Sequence, residues 1–324
     1  MSVESSKSRR KLLKNFGCAA IATGLAGCSG SSTSTDSIDY IHVNVYNPVY
    51  IGRKKGYFES HGVTVNNVGD SFGGPQSIQA TSSGKADAGA AAITALSNAV
   101  RNDMEVRGVC DLQSSFEDVP IHRWLVRKDS NILGPSDLEG KRIGVNTLGA
   151  SFHYTTLAYL NQHELTTEDV EFVTVPHPNM EQALLQGDID IAGMAPPFTF
   201  KALSKDNMNE LFNTLDVFGE IQVVQIFIGQ HILNDSPELA ESFLAGYIDS
   251  VDFIRENPKQ SRSIMAEALG VDHSLVNNQK FQSCAKADVE STERWLSLMR
   301  DRNELDGGDI EASDIITNEF NPCL

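Results

Sequence analysis

The chain has 324 residues, 40% of them hydrophobic, with 43 Asp+Glu against 26 Lys+Arg and a formal net charge of −17 at pH 7. That hydrophobic content suits a globular protein, and the length gives room for two sizeable cores. So acidic a surface repels nucleic acid and anionic lipid headgroups, and it favours a soluble monomer.

The first segment reads as an address rather than as part of a fold. Ser8-Arg9-Arg10-Lys11-Leu12-Leu13-Lys14 is basic, residues 16–26 are apolar and small, and Leu25-Ala26-Gly27-Cys28 closes the segment. A basic start, a short apolar run and a small-residue end form an export signal. The paired arginines resemble the twin-arginine signal. Leu-Ala-Gly-Cys resembles a lipobox, which makes Cys28 the expected lipidation site. A bilayer-spanning helix needs about 20 apolar residues, more than residues 16–27 supply. The expected location is the outer face of the cytoplasmic membrane, with residues 1–28 as signal and lipobox. Removing them takes away Lys7, Arg9, Arg10, Lys11, Lys14 and the acid Glu4, leaving 21 basic against 42 acidic residues. Acids scattered along the chain with few lysines read as halophile-like. They form a solvated face without catalytic role.

Residues 29–37, rich in Ser and Thr, read as a flexible tether. Alternating apolar residues predict a strand over 38–46, Pro48 ends it, and a short helix over 49–55 precedes Gly56-Tyr57-Phe58. Strands over 63–65, 86–92 and 106–112 alternate with helices over 75–83 and 93–101. The pattern restarts with strands over 124–127, 142–145, 170–175 and 188–192 and helices over 151–162 and 180–186. A strand over 221–228 follows, and then helices over 237–257, 258–269, 272–285 and 289–302. This alternation predicts α/β layers with a largely parallel sheet.

Two passages share a logic. Gly84-Lys85-Ala86-Asp87-Ala88-Gly89-Ala90 and Gly187-Asp188-Ile189-Asp190-Ile191-Ala192-Gly193 each join a glycine stop, an Asp and a short strand running into small residues. Small residues there allow close approach of the backbone, to a packed helix or to a cleft. Together with Gly52 to Val63, which carries Gly56-Tyr57-Phe58 and Gly62, and with Asp137-Leu138-Glu139-Gly140-Lys141-Arg142-Ile143-Gly144-Val145, these passages resemble the periplasmic-type substrate-binding proteins of ABC importers. The nearest group serves nitrate, sulfonate, taurine and thiamine-pyrimidine uptake, and the resemblance covers about residues 40–257.

The resemblance implies a two-lobe, type II periplasmic-binding-protein-like α/β fold with two crossing hinge strands, placed at 121–128 and 221–230. Lobe one is then 38–120 plus 231–324, and lobe two is 121–230. Ligands of open α/β sheets bind beyond the carboxyl ends of the strands. The candidate ligand residues are therefore Tyr50, Gly73, Gly74, Gln76, Ala91, Thr94, Gly149, Ala150, Ser151, Phe152, Pro197 and Gln225. At Gly149–Ser151 the start of a helix offers N–H groups and a positive dipole end to an anionic oxygen, although Ser151 also reads as a plain N-cap. Trp124, His153 and Phe198 are further candidates for aromatic walls. The expected solute is a small organic anion, sulfonate-like; a thiamine-pyrimidine precursor, nitrate or bicarbonate is the alternative. No Lys or Arg falls confidently in the cleft, which weighs against bare nitrate or bicarbonate. The expected partners are the permease and ATPase subunits of an ABC importer, with no cofactor and no metal.

The competing class is an enzyme on the same fold. Thiamine-pyrimidine synthases resemble this family but rely on a cysteine-rich segment, and this chain has no cysteine cluster, G-x-S-x-G or H-E-x-x-H. His177, between two prolines, reads as loop. Beyond Cys28, Cys110 reads as a small buried hydrophobe, and the sequence leaves a bridge between Cys284 and Cys323 open.

Overall fold

Strand β1 (Asp36–Val43) sets the frame, because Ile38, Tyr40, Ile41 and His42 are all buried and both faces of the strand are covered. The structure, a computed structural model, describes residues 36–43, 45–71, 73–276, 279–301 and 310–324, all within one compact unit spanning Thr35–Leu324. The expected signal, the lipidation site Cys28 and most of the tether lie outside the described residues. Strand β1 starts at Asp36, inside the stretch read as tether.

After β1 come α1 (Pro48–Lys55), α2 (Tyr57–Ser60), β2 (Val63–Ser71), α3 (Gly74–Ser82), β3 (Ala88–Ala92), α4 (Ile93–Arg101) and β4 (Val106–Ser115). The chain then supplies β5 (Arg123–Arg127), β6 (Lys141–Val145), α5 (Ser151–Gln162), β7 (Val170–Thr174) and α6 (His177–Gln186). Next are β8 (Ile191–Met194), α7 (Phe198–Leu203), β9 (Met208–Asn213) and α8 (Thr214–Phe218). Strand β10 (Ile221–Gly229) leads to α9 (Gln230–Asp235), α10 (Pro237–Glu256), α11 (Pro258–Leu269), α12 (Val289–Arg300) and α13 (Ala312–Ile315).

Among the described residues the strands form two five-stranded sheets, ordered β2-β1-β3-β10-β4 and β7-β6-β8-β5-β9. Strand β1 runs parallel to β2 and β3, and β6 parallel to β7 and β8. Strand β10 enters the first sheet antiparallel to β3 and β4, and β5 sits antiparallel to β8 and β9. Both sheets are therefore mixed, each with four strands running one way and a single strand, β10 or β5, running against them. The chain passes between them at residues 116–122 and 214–220, just ahead of the two strands expected to cross. There His122 N–H donates to Thr214 Oγ1 at 3.2 Å, and Thr214 N–H to His122 O at 3.1 Å.

The paired Asp motifs hold strands. Asp87 Oδ2 accepts from Asp39 N–H at 2.8 Å and Asp190 Oδ2 from Arg142 N–H at 2.9 Å, while each Asp N–H donates back to the same residue's carbonyl. Each carboxylate thus ties the start of a sheet's third parallel strand to its central one. Gly56-Tyr57-Phe58 is also structural. Phe58 is fully buried, stacks on Phe243 at 5.3 Å, and lies where a Cβ on Gly52 or Gly246 would stand 2.5–2.6 Å from its ring.

The helix expected over 272–285 is absent. Short 3-10 turns, His273–Leu275 and Ser283–Ala285, stand there instead. Asp272 caps the first by accepting from Ser274 N–H at 2.8 Å. Cys284 has a φ of 62° and is joined to Cys323 in a disulfide with Cα atoms 5.5 Å apart. A bridge across 39 residues contributes about 4 kcal/mol by the loop-entropy account.

Strand β4 buries a carboxyl group. Asp111 is 2% exposed, and burial pushes it up to about 7, against hydrogen bonds from Ser114 and Gln222 and with some help from Asp288. The Cys110 thiol and the Tyr247 hydroxyl, which donates to Asp111 O at 2.6 Å, also face this region. A folded-state value above the ordinary 3.8 means the native state binds the proton more tightly, so this contribution falls as pH rises from about 4 through about 7. Asp111→Asn should remove that fall. Its unfolding free energy relative to the parent should rise between pH 5 and about pH 7, by roughly 3 kcal/mol, and level off above that. A constant offset across that range would contradict it.

Candidate functional site

The parallel strands of both sheets end at one cleft. Val43 closes β1, Ala92 closes β3, Asn146 follows β6 and Ala195 follows β8. Gly74, Ser151, His177 and Phe198 are the first residues of α3, α5, α6 and α7. Together these residues line two joined chambers of about 80 and 300 Å³, which share Val43, Val45, Gly73, Pro75, Asn146, His177 and Ala195. The position beyond the carboxyl ends of the strands is where open α/β sheets hold ligands.

Aromatic rings build one wall. Phe152 stacks on His122 at 3.8 Å and meets His177 edge-on at 5.1 Å, and His177 stacks on Phe198 at 5.9 Å. Gly193 on β8 makes this possible, since a Cβ there would stand 2.8 Å from Phe152 Cδ1. Trp124 backs the wall from its buried place in β5, 5.5 Å from Phe152.

Among the described residues the chambers carry no net charge: each described lining residue is Val, Gly, Pro, Ala, Phe, Ser, Thr, Asn, Gln or His. Burial, and then the neighbouring His177, pushes His122 down to about 3, and burial pushes His177 down to about 4. Both imidazoles are neutral at pH 7. Gln113 Nε2, His122 Nδ1, Asn146 Oδ1 and His177 Nδ1 are buried without a protein hydrogen-bond partner.

Of the sequence candidates, Gly73, Gly74, Gln76, Ala91, Ala150, Ser151 and Phe152 line the chambers. The other five stand elsewhere. Tyr50 stacks on buried His42 at 4.2 Å, and Thr94 is fully buried within α4. Gly149 has a φ of 75°, its N–H donates to His153 Nδ1 at 3.2 Å, and Asn98 Nδ2 donates to its carbonyl at 3.5 Å. Pro197 lies between two lining residues, Pro196 and Phe198. Gln225 is buried in β10 and donates to Gln222 Oε1 at 2.6 Å. Arg123 pairs with Glu210, and Arg127 with Asp129 and Leu184 O, so both nearby cations are engaged.

Sequence reading missed Gln113, His122, Asn146 and His177. Asn146 carried a usable signal, because it directly follows a predicted strand. His177 also had one: Pro176 and Pro178 frame a helix start rather than a loop. Gln113 lies on a part of β4 beyond the apolar run that predicted it, and His122 precedes its strand by one residue.

Replacing Gly193 with Ala should displace Phe152 and cost about 1–3 kcal/mol in denaturant unfolding. Gly134→Ala, with no atom within 4 Å of the added Cβ, should change stability little. Equal small effects at both sites would contradict the packing role of Gly193.

A protein of Brucella abortus (strain 2308), named only provisionally as a binding protein, is 25% identical over 286 residues, covering 82% of this chain and 86% of its own. The periplasmic aliphatic sulphonate binding protein SsuA from Escherichia coli superposes with a TM-score of 0.73 at 16% identity, over 88% of this chain and 92% of its own. The desulfurization enzyme DSZB superposes at 0.65 and 17% identity, over 88% and 97%. These likenesses establish the two-lobe periplasmic-binding-protein fold. The NMT1/THI5-like family matches residues 44–261, about two thirds of the chain, and the protein belongs to that family.

Proposed function

We propose that the protein is the extracytoplasmic solute-binding component of an ABC importer. It captures a small molecule between its two sheets, closes over it and presents it to a membrane permease. One observation carries this reading: a partly enclosed, uncharged cleft at the carboxyl ends of the parallel strands, between sheets joined by two hydrogen-bonded crossings. Membership of the NMT1/THI5-like family and the likeness to a sulphonate binding protein support it. The Cys284–Cys323 bridge suits an oxidising compartment. The export signal and Cys28 supply the anchor in this reading, and the acidic surface keeps the body a soluble monomer in high salt.

The likeness to DSZB makes an enzyme the alternative, because fold alone does not decide function. Against it, no carboxylate, amine or thiol is among the described residues lining the cleft. The free thiol of Cys110 is fully buried within β4 and raised by that burial, a poor nucleophile.

The organic-anion reading rests on the start of α5, where Ala150, Ser151 and Phe152 reach the chamber. It draws less support than the sequence suggested. The Gly149 N–H is already donated, and the two nearby arginines are already paired.

Two measurements test the role. Calorimetry with solutes co-purified from the native host should give one bound molecule per chain, recovered unchanged, with a smaller radius of gyration by X-ray scattering. Recovery of a chemically altered product would overturn the binding role in favour of an enzyme. Separately, Cys28→Ala should move the exported protein from the membrane fraction to the soluble fraction. Unchanged membrane retention would overturn the lipid anchor.

A further inference from the structure

The structure assigns Arg294 of α12 the role of fixing the second passage between the sheets, so that it sets the angle at which one sheet stands to the other; this rests on the binding-protein reading, in which that angle changes as the cleft closes. Three alternate carbonyls, along the passage and into β10, are taken by two adjacent residues of α12. Arg294 Nη2 donates to Phe218 O at 2.5 Å and Nη1 to Glu220 O at 2.9 Å, and Trp295 Nε1 donates to Gln222 O at 2.8 Å. Gln222 N–H in turn donates to Ser291 Oγ at 3.0 Å. Ser291, Arg294 and Trp295 stand at i, i+3 and i+4, on one face of the helix. That face also grips Phe218, whose ring meets Trp295 edge-on at 4.9 Å and lies 5.7 Å from the guanidinium carbon of Arg294.

The use made of the charge sets Arg294 apart. Arg123, Arg142 and Arg300 each pair with a carboxylate. Arg294 instead gives both Nη groups to backbone carbonyls of one passage. The guanidinium is a rigid planar fork and can hold two acceptors at once, which suits a role in holding backbone in place.

The clamp belongs to the first sheet. Trp295, Leu296 and Met299 share an apolar cluster with Ile221, Val223 and Phe227 of β10. Asp288 caps α12 by accepting from Ser291 N–H at 2.8 Å, and its own N–H donates to Gln222 Oε1 at 3.0 Å. One residue earlier in the passage the attachment changes. Val217 O accepts from Gln162 Nε2 of α5 at 2.8 Å, and α5 places Phe152, Ala158 and Leu160 in the core of the second sheet. Adjacent carbonyls are thus held from opposite sides, Val217 by α5 and Phe218 by α12. Gly219 follows with a φ of 67° and no atom within 4 Å of an added Cβ. Hinges are a few element-terminal residues that absorb the backbone change. The pivot of the second passage is therefore Val217–Gly219, and from Glu220 onward the chain is fastened to the first sheet. Glu220 extends the clamp to the other passage, because its Oε1 accepts from Glu117 N–H at 2.9 Å.

The test measures the angle between the sheets in the full chain. Nitroxides are attached through a keto amino acid, which leaves the native cysteines alone. They replace exposed Lys85, just before β3 of the first sheet, and exposed Glu168, just before β7 of the second. Double electron–electron resonance then reads the distance between them. Arg294→Met keeps the aliphatic stem and removes the donors. Arg300→Met is the control, on the same helix but donating to Ile310 O at 2.7 Å. The distance distribution should broaden roughly twofold in Arg294→Met, recover in part in Arg294→Lys and keep the parent's width in Arg300→Met. A general loss of helix packing would lower the melting temperature of both Met variants without separating them in width. Equal widths in the parent and Arg294→Met, or equal broadening by Arg300→Met, would overturn the role of Arg294. These comparisons are made without added solute. A parent distance that stays the same when solutes co-purified from the native host are added would instead overturn the closure reading on which the role rests.

Discussion

The insertion of β10 between β3 and β4 is the constraint on which the architecture depends. Strands β1 and β3 run parallel, and β10 enters beside β3 in the opposite direction after the chain has built a whole second sheet. The chain must therefore pass between the sheets twice, and the two passages lie side by side where His122 and Thr214 exchange hydrogen bonds. That pairing brings the carboxyl ends of both sets of parallel strands to one cleft. Behind the cleft, Leu96 of α4, Tyr154 and Leu157 of α5 and Trp295 of α12 share one apolar cluster.

Polarity is distributed in a way that fits this geometry. Charges are spent on structure: Arg142 pairs with Asp190 at the start of the second sheet's parallel strands, away from the cleft, and Arg123 with Glu210 on neighbouring strands. What remains inside is neutral. His122 and His177 have values well below the ordinary 6.5, so their contribution to stability is lost as pH falls from about 6.5 toward 3–4. Asp111 acts in the opposite sense, and the two effects together favour mildly acid to neutral conditions. Across that range the imidazoles of the cavity stay uncharged.

The frame of the fold was legible because its signals are local. Pro48 and Gly56 bracket α1, Pro237 and Pro258 open α10 and α11, and the limits of α5 follow from the small-residue turn before Ser151. In place of the helix expected over 272–285 the described residues form two short turns, the second holding Cys284, which is tied to a residue 39 positions away. The site was legible in part. The strand-end rule located Gly73, Gly74, Ala91 and Ala150–Phe152, which depend on chain position alone. It did not find His122 or Gln113, whose places depend on how one sheet sits against the other. The paired Asp motifs carried a real duplication, but its meaning was strand anchoring: the interval from Asp39 to Asp87 equals that from Arg142 to Asp190, at 48 residues each.

The central claim is that the uncharged chamber between the sheets is where the solute sits. Imidazole ¹⁵N resonances of His122 and His177 report on it directly, with exposed His61 and His231 as internal controls. The account predicts that both rings are neutral at pH 6 and that both sets of resonances shift on binding while those of His61 and His231 hold. Protonated rings at that pH, or binding that leaves His122 and His177 unmoved, would contradict it.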